Sequence, residues 1–144
     1  MKNFFTILTF VAFAFSITAC SSDGDSKKSG LTARINGVDR TFNMIEVTEE
    51  VYEEYTDYII DAVQSDDPTK TLTISLGKES LGTDSIYFIQ YYDGTTFYQL
   101  SSPQITSNVT ESSASRIKAT FSGILNDGGS GNVNIANGVI DLKP

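Results

Sequence analysis

Residues 116–125 read RIKATFSGIL, and this stretch decides the fold class. Every second residue is apolar or small, and these residues are Ile117, Ala119, Phe121, Gly123 and Leu125. The residues between them are mostly polar. A period of two is typical of a strand with one buried face and one wet face. Such a strand belongs to an antiparallel sheet.

The same alternation recurs along the chain, at Ala33 and Ile35 and again at Leu72, Ile74 and Leu76. Turn residues separate the apolar segments, and Asn-Gly pairs suit tight hairpins because both residues tolerate positive φ. These turns are Asn36-Gly37, Asp66–Thr69, Asp93-Gly94, the loop 126–132 and Asn137-Gly138. We predict an all-β fold, a single antiparallel β-sandwich or barrel of about eight to ten short strands.

Residues 48–63, TEEVYEEYTDYIIDAV, allow two interpretations. Apolar residues recur at helical spacing, and acidic residues crowd the first turn, which suits a helix N-terminus. The β-branched and aromatic residues of 57–63 favour a strand instead. We predict an acidic loop or a short helix near 48–55, followed by a strand from about residue 57.

The first twenty residues have the features of an export signal. Lys2 precedes the apolar run FFTILTFVAFAFSITA at residues 4–19. This run is too short to span a bilayer, which takes about 20 apolar residues. A charged start, an apolar segment and small residues at the end describe a secretory signal peptide.

The end of this signal, Ile17-Thr18-Ala19-Cys20, resembles the lipobox of bacterial lipoproteins. The resemblance implies a signal peptide over residues 1–19, cleavage before Cys20 and lipid attachment to the Cys20 thiol. Cys20 is the only cysteine, so it has no disulfide partner within the chain. We therefore expect contact with the membrane through the lipid on Cys20.

Residues 20–30 contain the lipidated cysteine and a stretch rich in Ser, Gly and charge, which predicts a flexible tether. Residues 31–144 then form one β-rich domain. Without Lys2, nine basic side chains remain against eighteen acidic ones. This acidic balance argues against nucleic acid, whose recognition needs clustered Lys and Arg.

The layout resembles small bacterial lipoproteins of the Bacteroidota type that carry an uncharacterised β-rich domain. The carrying segments are ARINGV at residues 33–38, ATFSGIL at 119–125 and VNIANG at 133–138. In such proteins a long strand is followed by a turn and an Asn-Gly hairpin into the final strand. The residue after the cysteine is not Asp, which resembles lipoproteins sent to the outer membrane. The resemblance implies a fold and a location, a lipid anchor facing the periplasm or the cell surface, and no known activity.

The chain lacks most of the residues and motifs that enzymes use for catalysis. The chain has no histidine, which excludes Ser-His-Asp and Cys-His mechanisms. Cys20 is assigned to lipid, so no thiol nucleophile or cysteine zinc site remains. No phosphate-binding loop or dinucleotide fingerprint is present. We expect no enzymatic activity and no cofactor.

Carboxylates are the remaining chemistry-bearing groups, and they cluster at Glu49, Glu50, Glu53, Glu54 and Asp57. Such residues are weak candidates for Ca²⁺ ligands or for an acid/base pair that hydrolyses sugars. A solvated acidic face is the more common explanation of a charge run.

Aromatic residues flank the Asp93-Gly94 turn, namely Tyr87, Tyr91, Tyr92, Phe97 and Tyr98. Tyrosines near a loop suggest a surface for a protein or glycan ligand. Cross-strand pairing and core filling are the more frequent use of such residues.

We therefore expect a membrane-anchored envelope lipoprotein with a non-catalytic binding domain. The alternatives are a carboxylate-dependent glycoside hydrolase and a Ca²⁺-dependent carbohydrate-binding module.

Overall fold

The computed structural model describes residues 30–144, and these residues form nine strands. The predicted signal peptide, Cys20 and most of the tether lie outside the described residues. The strands are β1 (Gly30–Ile35), β2 (Val38–Val51), β3 (Thr56–Gln64), β4 (Thr71–Gly77), β5 (Ile86–Tyr92), β6 (Phe97–Ser101), β7 (Thr106–Ser113), β8 (Arg116–Asn126) and β9 (Asn132–Leu142). From residue 30 onward no segment is a helix that could cross a membrane.

All strand pairings are antiparallel, in the order β6-β5-β4-β3-β2-β1-β9-β8-β7. β6 also pairs with β8 through Gln99 and Asn126, and this contact closes eight of the strands into a barrel. β7 is the additional strand, paired along the first part of β8. Its other edge meets the β4–β5 connection through a bridge between Gly82 and Val109. The prediction of an all-β fold is confirmed, and the architecture is the barrel.

The barrel interior is filled by one apolar core. In β8 the inward residues include Ile117, Phe121 and Leu125, as the alternation of RIKATFSGIL predicts. Closing a barrel of this size leaves an interior just wide enough for side chains to fill. The core therefore occupies the centre, and any cleft large enough for a ligand must form at the ends or on the outer face.

Some of the predicted turns are correct, and one is wrong. Asn36 and Gly37 both have positive φ and connect β1 to β2, and Asp93-Gly94 connects β5 to β6. Asn137-Gly138 lies within β9 and forms no hairpin. Asn137, with φ of 50°, is the extra residue of a bulge opposite β1. Such a bulge lets a barrel strand bend, and Asn supplies the positive φ that the bulge requires.

Of the two alternatives for residues 48–55, the short helix is wrong, and the acidic loop is correct only for residues 52–55. β2 extends to Val51, and its last pair with β3 joins Val51 to Thr56. Residues 52–55 form the turn between these strands, and the strand after it begins at Thr56, close to the predicted residue 57. Cross-strand hydrogen bonds with β3 therefore override the helical spacing, and Val51 and Tyr55 are exposed.

Candidate functional site

A cleft of about 490 Å³ opens on the barrel beside the β2–β3 turn and the β4–β5 connection. This volume lies within the range of about 300–1,000 Å³ typical of small-molecule sites. Its lining includes Tyr52, Tyr55, Asp57, Lys78, Asp84 and Tyr87. Because neighbouring strands are antiparallel, the cleft lies at the end of the barrel where β1 begins at Gly30. We call it the tyrosine cleft.

The β2–β3 turn supplies one wall of the tyrosine cleft. The Tyr52 N–H donates a 2.8 Å hydrogen bond to the Tyr55 carbonyl, which holds the turn closed. The two rings stack, with centroids 4.7 Å apart and planes at 26°. Tyr52 is 45% exposed and Tyr55 is 59% exposed, so neither ring belongs to the core. The turn therefore presents a stacked aromatic pair to solvent.

Asp57 is the most deeply buried ionisable residue of the cleft lining. The inward residues of β3 are Tyr58, Ile60 and Ala62, which places Asp57 on the outer face. Asp57 is nevertheless only 4% exposed. The Tyr87 hydroxyl donates a 2.6 Å hydrogen bond to Asp57 Oδ2. Burial, and then this hydrogen bond, raise the pKa of Tyr87 above its ordinary value.

Tyr87 reaches Asp57 because the β4–β5 pairing is irregular. Ser75 pairs with Phe88, whereas Leu76 pairs with Ile86, so Tyr87 is the extra residue of a bulge. A bulge redirects a side chain relative to the regular pleat. The hydroxyl of this redirected tyrosine lies over the outer face of β3.

A second carboxylate–tyrosine pair lies beside the first. The Tyr52 hydroxyl donates a 2.7 Å hydrogen bond to Glu50 Oε2. This hydrogen bond, with the charge of Glu50, raises the pKa of Tyr52 to about 12. The neutral phenol of Tyr52 is therefore favoured throughout the physiological range.

Lys78 is the cation in the cleft lining, and it is committed elsewhere. Its ammonium donates to both carboxylate oxygens of Glu49, at 2.8 and 2.9 Å. The hydrogen bond to Glu49 raises the pKa of Lys78. The same ammonium lies 5.6 Å from the ring centroid of Tyr58, a core residue. Lys78 therefore neutralises Glu49 at the end of the barrel.

The five acidic candidates do not converge on a single point. Glu49 pairs with Lys78, Glu50 accepts from Tyr52, and Asp57 accepts from Tyr87. Glu53 and Glu54 are exposed in the turn. Within residues 30–144 no group of three or more Asp, Glu, His or Cys side chains is arranged to hold a metal ion.

The five aromatic candidates do not share one surface. Tyr87 joins the tyrosine cleft, whereas Tyr91 is 4% exposed and belongs to the core. Tyr92 and Phe97 stack across β5 and β6, with centroids 4.5 Å apart, and Tyr98 packs against the core. Tyr87 lies at the start of β5 and the others lie near its end, at the opposite end of the barrel.

At the opposite end of the barrel, polar side chains form a hydrogen-bond network with one another. Tyr91 donates to Gln64 Oε1 at 3.1 Å, and Gln64 donates to Asp66 Oδ1 at 2.8 Å. Asp66 also accepts from Arg40. The hydrogen bond from Gln64 lowers the pKa of Asp66. The side chains of Tyr91, Gln64, Asp66 and Arg40 therefore satisfy one another's hydrogen bonds at this end.

Sequence reasoning missed Tyr52, Tyr55 and Asp84 as cleft residues. Tyr52 and Tyr55 lie within the acidic segment 48–57, and the helical interpretation placed Tyr55 on the apolar side of a helix. An aromatic pair within a charged turn was the available signal. Asp84 lines the cleft because of the path of the β4–β5 connection, and no local sequence pattern predicts that path.

No family model, no curated protein and no solved structure matches the chain. The assignment of the site therefore depends on its geometry and chemistry.

Proposed function

We propose that this protein is a lipid-anchored lipoprotein of the bacterial cell envelope, and that its barrel is a non-catalytic binding domain. The tyrosine cleft is the ligand site in this proposal. The lipid on Cys20 holds the protein at the outer membrane, facing either the periplasm or the cell surface.

The lipobox-like sequence Ile17-Thr18-Ala19-Cys20 supports the anchor. Diacylation suits this role because burial of acyl chains contributes about 0.8 kcal/mol per CH₂, so two chains hold stably where one does not. The Ser- and Gly-containing composition between Cys20 and Gly30 is typical of a spacer between an anchor and a domain.

The observation that carries the binding function is the juxtaposition of the exposed Tyr52–Tyr55 stack with the buried Asp57 carboxylate, which accepts a hydrogen bond from the partly exposed Tyr87. Solvent-exposed rings forgo the free energy of burial, about 25 cal/mol per Å² of apolar surface. A ligand that covers them recovers this free energy. Asp57 and Tyr87 supply polar atoms that fix its orientation, a combination typical of small-molecule sites.

The carboxylate-dependent glycoside hydrolase stays a prediction, and the geometry favours binding over it. A glycosidase needs one carboxylic acid and one carboxylate on opposite sides of the scissile bond. Glu49 is engaged by an ammonium, and Glu50 and Asp57 each accept a hydrogen bond from a tyrosine hydroxyl, so three of the five acidic candidates are already engaged within the protein. The Ca²⁺-dependent carbohydrate-binding module likewise stays a prediction.

The binding function is tested by nuclear magnetic resonance on the mature lipidated protein in an uncharged polyoxyethylene detergent. The probes are neutral sugars, organic amines and organic acids. We expect at least one class to bind and to shift the backbone amides of Tyr52, Tyr55 and Gly77. Binding should be lost in the double variant Tyr52→Leu/Tyr55→Leu, whose substitutions are both at exposed positions.

A second test variant is Asp57→Asn, and Asp61→Asn is its matched control. Both residues lie on β3 and point away from the core, but Asp61 is exposed and bonds Thr73. Asp61→Asn should leave binding unchanged. Shifts that map away from the cleft, or no binding by any probe class, would contradict the proposed site.

A further inference from the structure

The Asp57 carboxyl group is nearly buried, and no cation within residues 30–144 pairs with it. The ion pairs within residues 30–144 do not include Asp57, and its side chain has the Tyr87 hydroxyl as its hydrogen-bond donor. A carboxylate removed from water is costly unless a counter-charge and hydrogen bonds compensate it. A phenol supplies a hydrogen bond and no formal charge. The site is therefore electrostatically incomplete as it stands.

Lys78 is the cation among the lining residues of the tyrosine cleft, and its ammonium is already paired with Glu49. It also faces the ring of Tyr58 on the core side, whereas Asp57 lies on the outer face. The second carboxylate of the lining, Asp84, adds negative charge to the cleft. The electrostatic field in the cleft thus favours a positive ligand.

The tyrosine wall fits the same kind of ligand. An aromatic ring attracts a cation to its face, by about 0.5–2 kcal/mol depending on desolvation. Tyr52, Tyr55 and Tyr87 all line the cleft. The Tyr52 hydroxyl is turned to Glu50 and the Tyr87 hydroxyl to Asp57, so both phenols act as donors to carboxylates. This polarises the phenols towards negative charge and strengthens their attraction for a cation.

We propose that the tyrosine cleft binds an organic cation, with its ammonium group beside the Asp57 carboxylate and against the rings of Tyr52, Tyr55 and Tyr87. The inference rests on the proposed function, since it names the ligand class of the same site. A neutral sugar would stack on the tyrosines but would leave the charge of Asp57 uncompensated. An organic anion would be repelled by Asp57 and Asp84.

The test compares choline with 3,3-dimethyl-1-butanol, its neutral isostere in which carbon replaces the charged nitrogen. Titration calorimetry is performed on the mature lipidated protein in the same uncharged detergent. We expect choline to bind at least about tenfold more tightly than the isostere, which corresponds to about 1.4 kcal/mol. Asp57→Asn should weaken choline by about tenfold or more, and Asp61→Asn by less than about twofold.

The outcomes separate this inference from the proposed function. Equal binding of choline and its isostere, lost in Tyr52→Leu/Tyr55→Leu, would keep the cleft as the site and overturn the cationic ligand. Binding of a neutral sugar with no binding of choline at about 50 mM would likewise keep the cleft as the site and overturn the cationic ligand. If Asp57→Asn does not fold, the double tyrosine variant still decides the matter, because retention of choline binding there would overturn the inference.

Discussion

Gly123 in β8 lies directly against Leu100 in β6, so closely that a Cβ atom at position 123 would overlap Leu100 Cδ2. This contact stands beside the Gln99–Asn126 pair that closes the barrel. Leu100 is 8% exposed and belongs to the core. A side chain at position 123 would therefore displace the Leu100 side chain from its place in the core.

The contact between Gly123 and Leu100 can be tested by mutation. Gly123→Ala should lower the free energy of unfolding by about 1–3 kcal/mol, because the added methyl group forces Leu100 from its place. Urea denaturation measures the change. In Leu100→Ala/Gly123→Ala the overlap is relieved, so the cost of the alanine at 123 should be smaller than in the single variant. An equal cost in both backgrounds would mean that the two residues do not compete for space.

Two buried tyrosines should respond in opposite ways to loss of their hydroxyls. Tyr58 is fully buried, and its hydroxyl has no hydrogen-bond partner among residues 30–144, whereas the Tyr91 hydroxyl bonds Gln64. Tyr58→Phe should leave stability unchanged or raise it by about 1 kcal/mol, and Tyr91→Phe should lower it by about 1 kcal/mol. The two variants serve as controls for each other in urea denaturation. A loss of stability in Tyr58→Phe would reveal a partner for its hydroxyl.

Acid should weaken the fold through Asp93, which caps the β5–β6 turn. Its Oδ1 accepts hydrogen bonds from the backbone of Thr96 and from the backbone and hydroxyl of Thr95. The Thr96 hydrogen bond, followed by those from Thr95, lowers the pKa of Asp93 below 3.8. A lowered folded-state pKa gives stability that is present above the unfolded-state pKa and lost as the pH falls through the folded-state value.

Asp93→Asn tests this linkage because the amide keeps an acceptor oxygen and cannot ionise. Between about pH 5 and pH 3 the wild type should lose more stability than Asp93→Asn does, as measured by urea midpoints. Parallel losses in both proteins would show that Asp93 does not contribute to the acid sensitivity.

Alkaline titration examines the Glu50–Tyr52 pair of the cleft. The phenol of Tyr52 should ionise near its raised pKa of about 12, above the ordinary 10.0. The ultraviolet phenolate signal of the wild type minus that of Tyr52→Phe isolates this group. Because the folded-state pKa is raised, its contribution to stability is present below pH 10 and lost as the pH rises further. Glu50→Gln should bring the ionisation back towards the ordinary value, and an unchanged titration would exclude Glu50 as the cause.

The strands could be predicted from sequence because their signal is local. Alternation at residues 116–125 identifies both the strand and its buried face, and Asn36-Gly37 identifies a hairpin. The error at Asn137-Gly138 has a physical reason, since positive φ serves a bulge as well as a turn. Only the pairing with β1 and β8 distinguishes these two uses.

The cleft could be predicted only in part. The sequence drew attention to Asp57 and Tyr87 separately, one in an acidic run and one in an aromatic group. Their hydrogen bond depends on the bulge in β5 and on the pairing of β4 with both β3 and β5. Such long-range register has no local signal. The turn at 52–55 was obscured because Tyr55 continues a helical spacing that begins at Val51.

The lipid that we propose on Cys20 holds the barrel at the membrane, and the mass of the N-terminal peptide tests this anchor. The protein is isolated from the membrane fraction of an expressing bacterium and digested, with Cys20→Ala as control. We predict a wild-type peptide that begins at Cys20 and carries a diacylglyceryl group, and an unlipidated, uncleaved Cys20→Ala chain. A wild-type peptide with an unmodified Cys20, or one that begins elsewhere, would contradict the account.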